Sequence, residues 1–101
     1  MVKMKVKTLE EIKKIIQQHR GELEEKYKVK KIAIFGSYAR GEQEKKSDVD
    51  ILVEFTEPVG FLFFHLADYL EELLGVKVDL VTPDAIKSNR RKSIMEDLIY
   101  A

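Results

Sequence analysis

The chain has no cysteine among its 101 residues. That excludes a disulfide framework and any zinc site built on thiolates, and it fits a cytoplasmic setting. No apolar run approaches the ~18 residues that a membrane-spanning helix needs, so no membrane partner is expected. The opening residues Met1-Val2-Lys3-Met4-Lys5-Val6-Lys7 are basic, yet no apolar stretch follows them, and they do not read as a signal peptide. Neither sign of charge is in excess, since 18 Lys and Arg balance 18 Asp and Glu. The molecule as a whole is therefore not a polyanion binder, and a nucleic-acid partner is not expected unless a local patch supplies one. Internal repeats, low-complexity tracts and linkers are also absent.

What remains is a chain of single-domain length, residues 1–101, with 45% hydrophobic and 36% charged residues. A domain of this size buries roughly 60–70% of its unfolded surface. That supports a core but not a deep, enclosed active site, so an open groove or one closed by a partner is the expected design. Thr8 with Glu11 has the spacing of a capping box, and Leu9, Ile12, Ile15, Ile16 and Leu23 recur at helical spacing to about residue 27, with a bend or fray at Gly21. Strands are expected over 31–35, 49–55 and 76–81, with a short helix over 37–40 and an apolar helix over 60–74 that stops at Gly75. Thr82-Pro83 opens a last helical region whose stripe is Ile94, Leu98 and Ile99. The order α-β-α-β-α-β-α predicts an α/β (α+β) fold with a small mixed sheet of about three strands flanked by helices. The β-α-β unit over 49–81 implies a parallel pair.

Two linked stretches carry the chemistry. Gly36-Ser37-Tyr38-Ala39-Arg40-Gly41 puts a Gly-Ser turn at the end of one strand, and Ser47-Asp48-Val49-Asp50-Ile51-Leu52-Val53 opens the next. Residues two apart in a strand share a face, about 6.5–7 Å apart, so Asp48 and Asp50 project together. Two carboxylates among Val49, Ile51 and Leu52 repel each other and lose solvation. Either both are solvated where the strand starts, or a divalent cation such as magnesium, which favours oxygen ligands, relieves the strain. Gly36 permits close backbone approach, and free N–H groups with the Ser37 hydroxyl suit phosphate oxygens; a plain strand-to-helix turn is the alternative. Asp79 lies mid-strand between apolar neighbours, where a carboxylate needs a cation or a salt bridge. Neighbouring strands lie about 4.8 Å apart, so Asp79 can stand beside Asp50 if their strands pair.

These residues resemble the minimal nucleotidyltransferase (MNT) branch of the DNA polymerase beta-like superfamily, through the patterns G-S-x-A-R-G and S-D-x-D-[LI]-x-V. The resemblance covers nearly the whole chain in element order. It implies a nucleotidyltransferase fold and magnesium ions, two of them, on Asp48, Asp50 and Asp79. It also implies that Gly36 and Ser37 hold the phosphates of ATP, and that Asp79 is the base for the attacking hydroxyl. Arg40 belongs to the motif, either as a phosphate contact or as a structural ion pair, and Ser47 caps the turn before the carboxylates. The resemblance further implies transfer of AMP to a tyrosine of a helical HEPN toxin by an antitoxin. Two alternatives stand beside this: an antitoxin that only occludes its partner, and a small-molecule (antibiotic-type) nucleotidyltransferase, whose extra acceptor domain this chain lacks.

Other features invite a role. His19 reads as solvent-facing and His65 as a packed helix residue. Phe61-Leu62-Phe63-Phe64 cannot all face one side of a helix, which leaves an excess for a partner or a homodimer. Lys87, Arg90, Arg91 and Lys92 form either a solvated basic face or a contact to triphosphate or RNA. Tyr38 and Tyr100 read as packing residues.

Overall fold

The computed structural model describes residues 7–101, so the basic opening segment lies, except for Lys7, outside the described residues. The first helical stretch is two helices, α1 (Leu9–Gln18) and α2 (Arg20–Tyr27). Thr8 caps α1 as the spacing predicts: its hydroxyl accepts from the Glu11 N–H while the Glu11 carboxylate accepts from the Thr8 N–H. The break falls at His19 rather than at Gly21. The His19 ring nitrogen Nδ1 bonds back to the Ile15 carbonyl at 2.9 Å, which satisfies an end of α1 and lets the chain turn there. Lys28, at φ 59°, closes α2 in the left-handed region and leads into β1 (Val29–Phe35).

β1 is followed by α3 (Gly36–Arg40), β2 (Val49–Phe55), α4 (Leu62–Leu74) and β3 (Val78–Val81). A short 3-10 turn (Pro83–Ala85), α5 (Ser88–Asp97) and β4 (Ile99–Tyr100) complete the order. The sheet runs β3-β2-β1-β4, with β2 and β3 parallel and the other pairs antiparallel. The α/β class and the parallel pair agree with the sequence reading, and a fourth strand extends the expected three. Ile99, read as the end of the last helix, instead pairs with Ile34, and Tyr100 pairs with Ala33. Leu98 is already extended, at φ −60° and ψ 128°. The unpaired edge of β1 captures the chain there, and a tertiary ladder overrides the helical stripe. Tyr100 is correspondingly exposed rather than packed.

The two faces of the sheet are covered differently. On one, Ile12, Ile16 and Leu23 from α1 and α2 and Leu66, Leu70 and Leu74 from α4 pack onto Ile32, Ile34, Ile51 and Val53. Leu66, Leu70 and Leu74 recur every four residues, so α4 presents one stripe inward. Tyr38 also belongs to this core. On the other face, a smaller cluster of Phe35, Leu52, Ile86 and Ile94 sits beneath the 3-10 turn and α5. No helix among the described residues is long and apolar enough to cross a membrane. Because the large core lies on the face away from the carboxylates, Leu70→Ala is expected to lower stability by about 2–5 kcal/mol in chemical denaturation.

Candidate active site

In β2, side chains alternate between the two faces, and the register shows which way each points. Phe35 pairs with Asp50 and Ala33 with Leu52, so Asp50 shares the face of Phe35 and Leu52, under the 3-10 turn and α5. Asp50 pairs directly with Asp79 across the parallel ladder, and Leu52 with Val81. Asp48, two residues before Asp50, continues the same alternation. The structure therefore brings Asp48, Asp50 and Asp79 to one face and one end of the sheet, as the spacing anticipates.

Gly36 closes the site from β1. It has φ 74°, and a Cβ there would collide with the Asp50 carboxylate oxygen Oδ2 and stand 3.1 Å from its Cγ. The Gly-Ser turn and the carboxylate thus touch across the β1–β2 pair, a contact that only glycine permits. Ser37 follows in the first turn of α3, whose N-cap position is Phe35, a residue with no side-chain capping group. Ser47 shapes the loop before the carboxylates by accepting from the Glu44 N–H at 2.8 Å. Tyr38 packs below: burial pushes its phenol up, and the negative charge of Asp48 adds to this.

Asp50 is the stressed member of the set. Burial, then the charges of Asp79 and Asp48, push its carboxyl up from 3.8 to about 6, against the smaller pull of Arg90 and Arg40. Asp48 and Asp79 are exposed. Among the described residues, no three carboxylates already meet around one point as a closed metal cage. The donor set is nonetheless all oxygen, concentrated on one face and short of positive charge, which fits a divalent cation such as magnesium.

The other candidates divide. Arg40 is engaged at 2.9 Å with Glu42 and at 2.6 Å with Asp97, tying α3 to α5. Arg91 donates to the Pro83 carbonyl at 3.1 Å and holds the 3-10 turn to α5. Lys87 and Arg90 instead line a cavity of about 200 Å³ whose floor is Phe35, Val81, Ile86 and Ile94 and whose wall includes Asp79. Sequence reading left this basic segment unassigned, because only the fold of the chain after β3 turns α5 back over the carboxylates. His19 is a helix-joint residue, and His65 is exposed rather than packed. Phe61 and Phe64 are 83% and 62% exposed, while Phe63 packs on Phe55 at the far end of β2. Asp50 and Phe55 are five residues apart, so the aromatic patch lies roughly 15 Å or more from the carboxylates.

Two predictions test this geometry. The folded-state value of Asp50 lies above 3.8, so the folded protein holds the proton more tightly than the unfolded chain. The charged form then weakens the fold, an effect absent below the ordinary carboxylate range and complete above about pH 6. Asp50→Asn should raise metal-free stability by on the order of 1 kcal/mol at neutral pH, solvent screening holding it to that, with the gain vanishing in acid. Thermal melts across pH measure it. Gly36→Ala should lose about 1–3 kcal/mol in the same melts from its positive φ alone, and the added methyl would also displace the Asp50 carboxylate.

Comparison with known proteins gives this geometry a family. The nucleotidyltransferase domain profile matches residues 16–101. A Methanocaldococcus jannaschii protein, provisionally named a protein adenylyltransferase, is 63% identical over 97 residues, covering 94% of this chain and 99% of the relative. Protein adenylyltransferase MntA of Thermococcus cleftensis is 47% identical over 98 residues, covering 96% and 99%. Among solved structures, one provisionally described as a minimal nucleotidyltransferase superposes with a TM-score of 0.79 at 30% identity, covering 95% of this chain and 98% of the other. A toxin–antitoxin structure with AMP-PNP superposes at 0.67 and 28% identity, covering 88% and 70%. The chain belongs to the nucleotidyltransferase domain family, in its minimal branch, and is an enzyme of that class.

Proposed function

We propose that this single domain transfers AMP from ATP to a hydroxyl on a partner protein, and that it serves as the antitoxin of a toxin–antitoxin pair. The observation that carries the reading is the register match of Asp50 to Asp79, with Asp48 on the same face and Gly36 against the Asp50 carboxylate. The named activity of the 47%-identical Thermococcus relative supports the protein acceptor. The toxin–antitoxin neighbour with AMP-PNP supports the partner and the nucleotide. The helical HEPN toxin and its tyrosine are what the motif resemblance implies.

The chemistry follows from the residues in hand. Asp48 and Asp50, with Asp79, would hold magnesium, which when bound offsets the charge of the triphosphate and of the departing pyrophosphate. The N–H groups of the Gly36-Ser37 turn and the Ser37 hydroxyl take phosphate oxygens. Asp79, exposed at the cavity wall, accepts the proton of the acceptor hydroxyl. The hydroxyl oxygen forms its bond to the α-phosphorus as the bond to pyrophosphate breaks. Donors fixed in place before the reaction supply most of the acceleration, because negative charge concentrates in the transition state. The open cavity leaves room for a macromolecular acceptor to complete the site.

Calorimetry with ATP should give magnesium-dependent binding that disappears in Asp48→Asn/Asp50→Asn. Asp79→Asn should keep much of the binding yet lose transfer of AMP to a co-purified helical partner by about 100-fold or more, as expected when a positioned base is removed. Transfer that survives in Asp79→Asn would overturn its role as base. Wild-type protein that binds ATP but labels no partner would leave the enzyme without the proposed acceptor.

A further inference from the structure

The motif contains one arginine, Arg40, yet that arginine is committed elsewhere. Its guanidinium holds Glu42 and Asp97, and so anchors α5 to α3. The face where a nucleotide would lie already carries three carboxylates. A polyphosphate brought there adds more negative charge and needs cations that are near and unpaired. Two such groups stand over the site. Lys87 and Arg90 line the same cavity as Asp79. Arg90 lies close enough for its charge to act on Asp50, and more strongly than that of Arg40. Among the described residues, neither side chain makes an ion pair or a side-chain hydrogen bond.

The neighbours on α5 sharpen the contrast. Arg91 is bound to the Pro83 carbonyl, and Lys92 is exposed and does not line the cavity. Lys87, the extended residue that leads into α5, and Arg90, in its first turn, both reach the same cavity. The buried Ile94, four positions after Arg90, fixes the helix there by packing onto Phe35 and Leu52. An unpaired guanidinium and an ammonium, held by a packed helix beside a carboxylate cluster, form a two-cation wall of the kind that phosphate groups seek.

Resting on the nucleotidyl-transfer reading, we infer that Lys87 and Arg90 bind the polyphosphate tail of the nucleotide and hold the departing pyrophosphate, opposite the Gly36-Ser37 turn. Arg40 holds the helix that carries them. Lys87 and Arg90 are thus specificity-determining: they select a nucleoside triphosphate over the monophosphate, whose base and sugar they do not touch.

Calorimetry of the whole chain tests this with three probes: ATP with magnesium, inorganic tripolyphosphate, and AMP. Lys87→Ala/Arg90→Ala should weaken ATP and tripolyphosphate by roughly 10–100-fold, the loss expected for charge-assisted bonds, and leave AMP unchanged. Arg90→Lys should recover part of the loss, and Lys92→Ala should match wild type. Circular-dichroism melts confirm that the variants fold. Equal binding of ATP by a folded double variant would overturn the inference, as would an equal loss for AMP. So would normal ATP binding with failed transfer to a protein, because the cations would then face the acceptor. If wild type takes tripolyphosphate through these residues but not ATP, the nucleotidyl-transfer reading falls and the anion site stands. If it takes neither, both fall.

Discussion

The parallel pairing of β2 with β3 sets two carboxylates opposite each other, Asp50 against Asp79, on a face where burial already penalises charge. A sequence selected for stability alone would not keep that contact, since like charges paired across strands destabilise a sheet. The surrounding features are arranged to tolerate it. Gly36 gives up its side chain to make room for Asp50. α5 brings positive charge back over the strand ends, and Arg40 clamps that helix through Asp97. The tension between fold and site is therefore local, confined to the carboxylates and the elements that touch them.

Division of work between the two faces makes the tension affordable. The large apolar cluster of α1, α2 and α4 lies on the opposite face, so most hydrophobic stabilisation is independent of what happens among the carboxylates. Apolar burial contributes about 25 cal/mol per Å², and nearly all the fully buried side chains belong to that cluster. The small cluster of Phe35, Leu52, Ile86 and Ile94 serves mainly to seat α5. Partition of this kind lets one small sheet carry a charged site on one face and its main apolar core on the other.

Much of this was legible in the residues. The two-residue spacing of Asp48 and Asp50 needs only strand alternation to be read, and Asp79 is conspicuous as an acid within Val78-Asp79-Leu80-Val81. Their convergence follows once β2 and β3 pair. What the sequence did not disclose was decided by distant partners. The choice of Asp97 by Arg40 spans 57 positions and depends on where α5 lands. Ile99 continues a helical stripe but is claimed by the open edge of β1. The joint at His19 rests on a ring-to-carbonyl bond that competes with the more obvious weak point at Gly21. Local pattern identified the chemical groups, and tertiary contact decided which of them remain unpaired.

α5 is held to the body of the protein by few attachments. Ile94 is its one buried residue, and Arg40–Asp97 and Arg91–Pro83 supply its polar contacts. Helices anchored so sparsely open locally at a small fraction of the global unfolding free energy. The sheet and its opposite core need not loosen when α5 lifts. Amide exchange along α5 should thus outpace that of β1 and α4. An element that opens independently gives the molecule a hatch: one side of the cavity can swing aside while the carboxylates stay fixed on their strands.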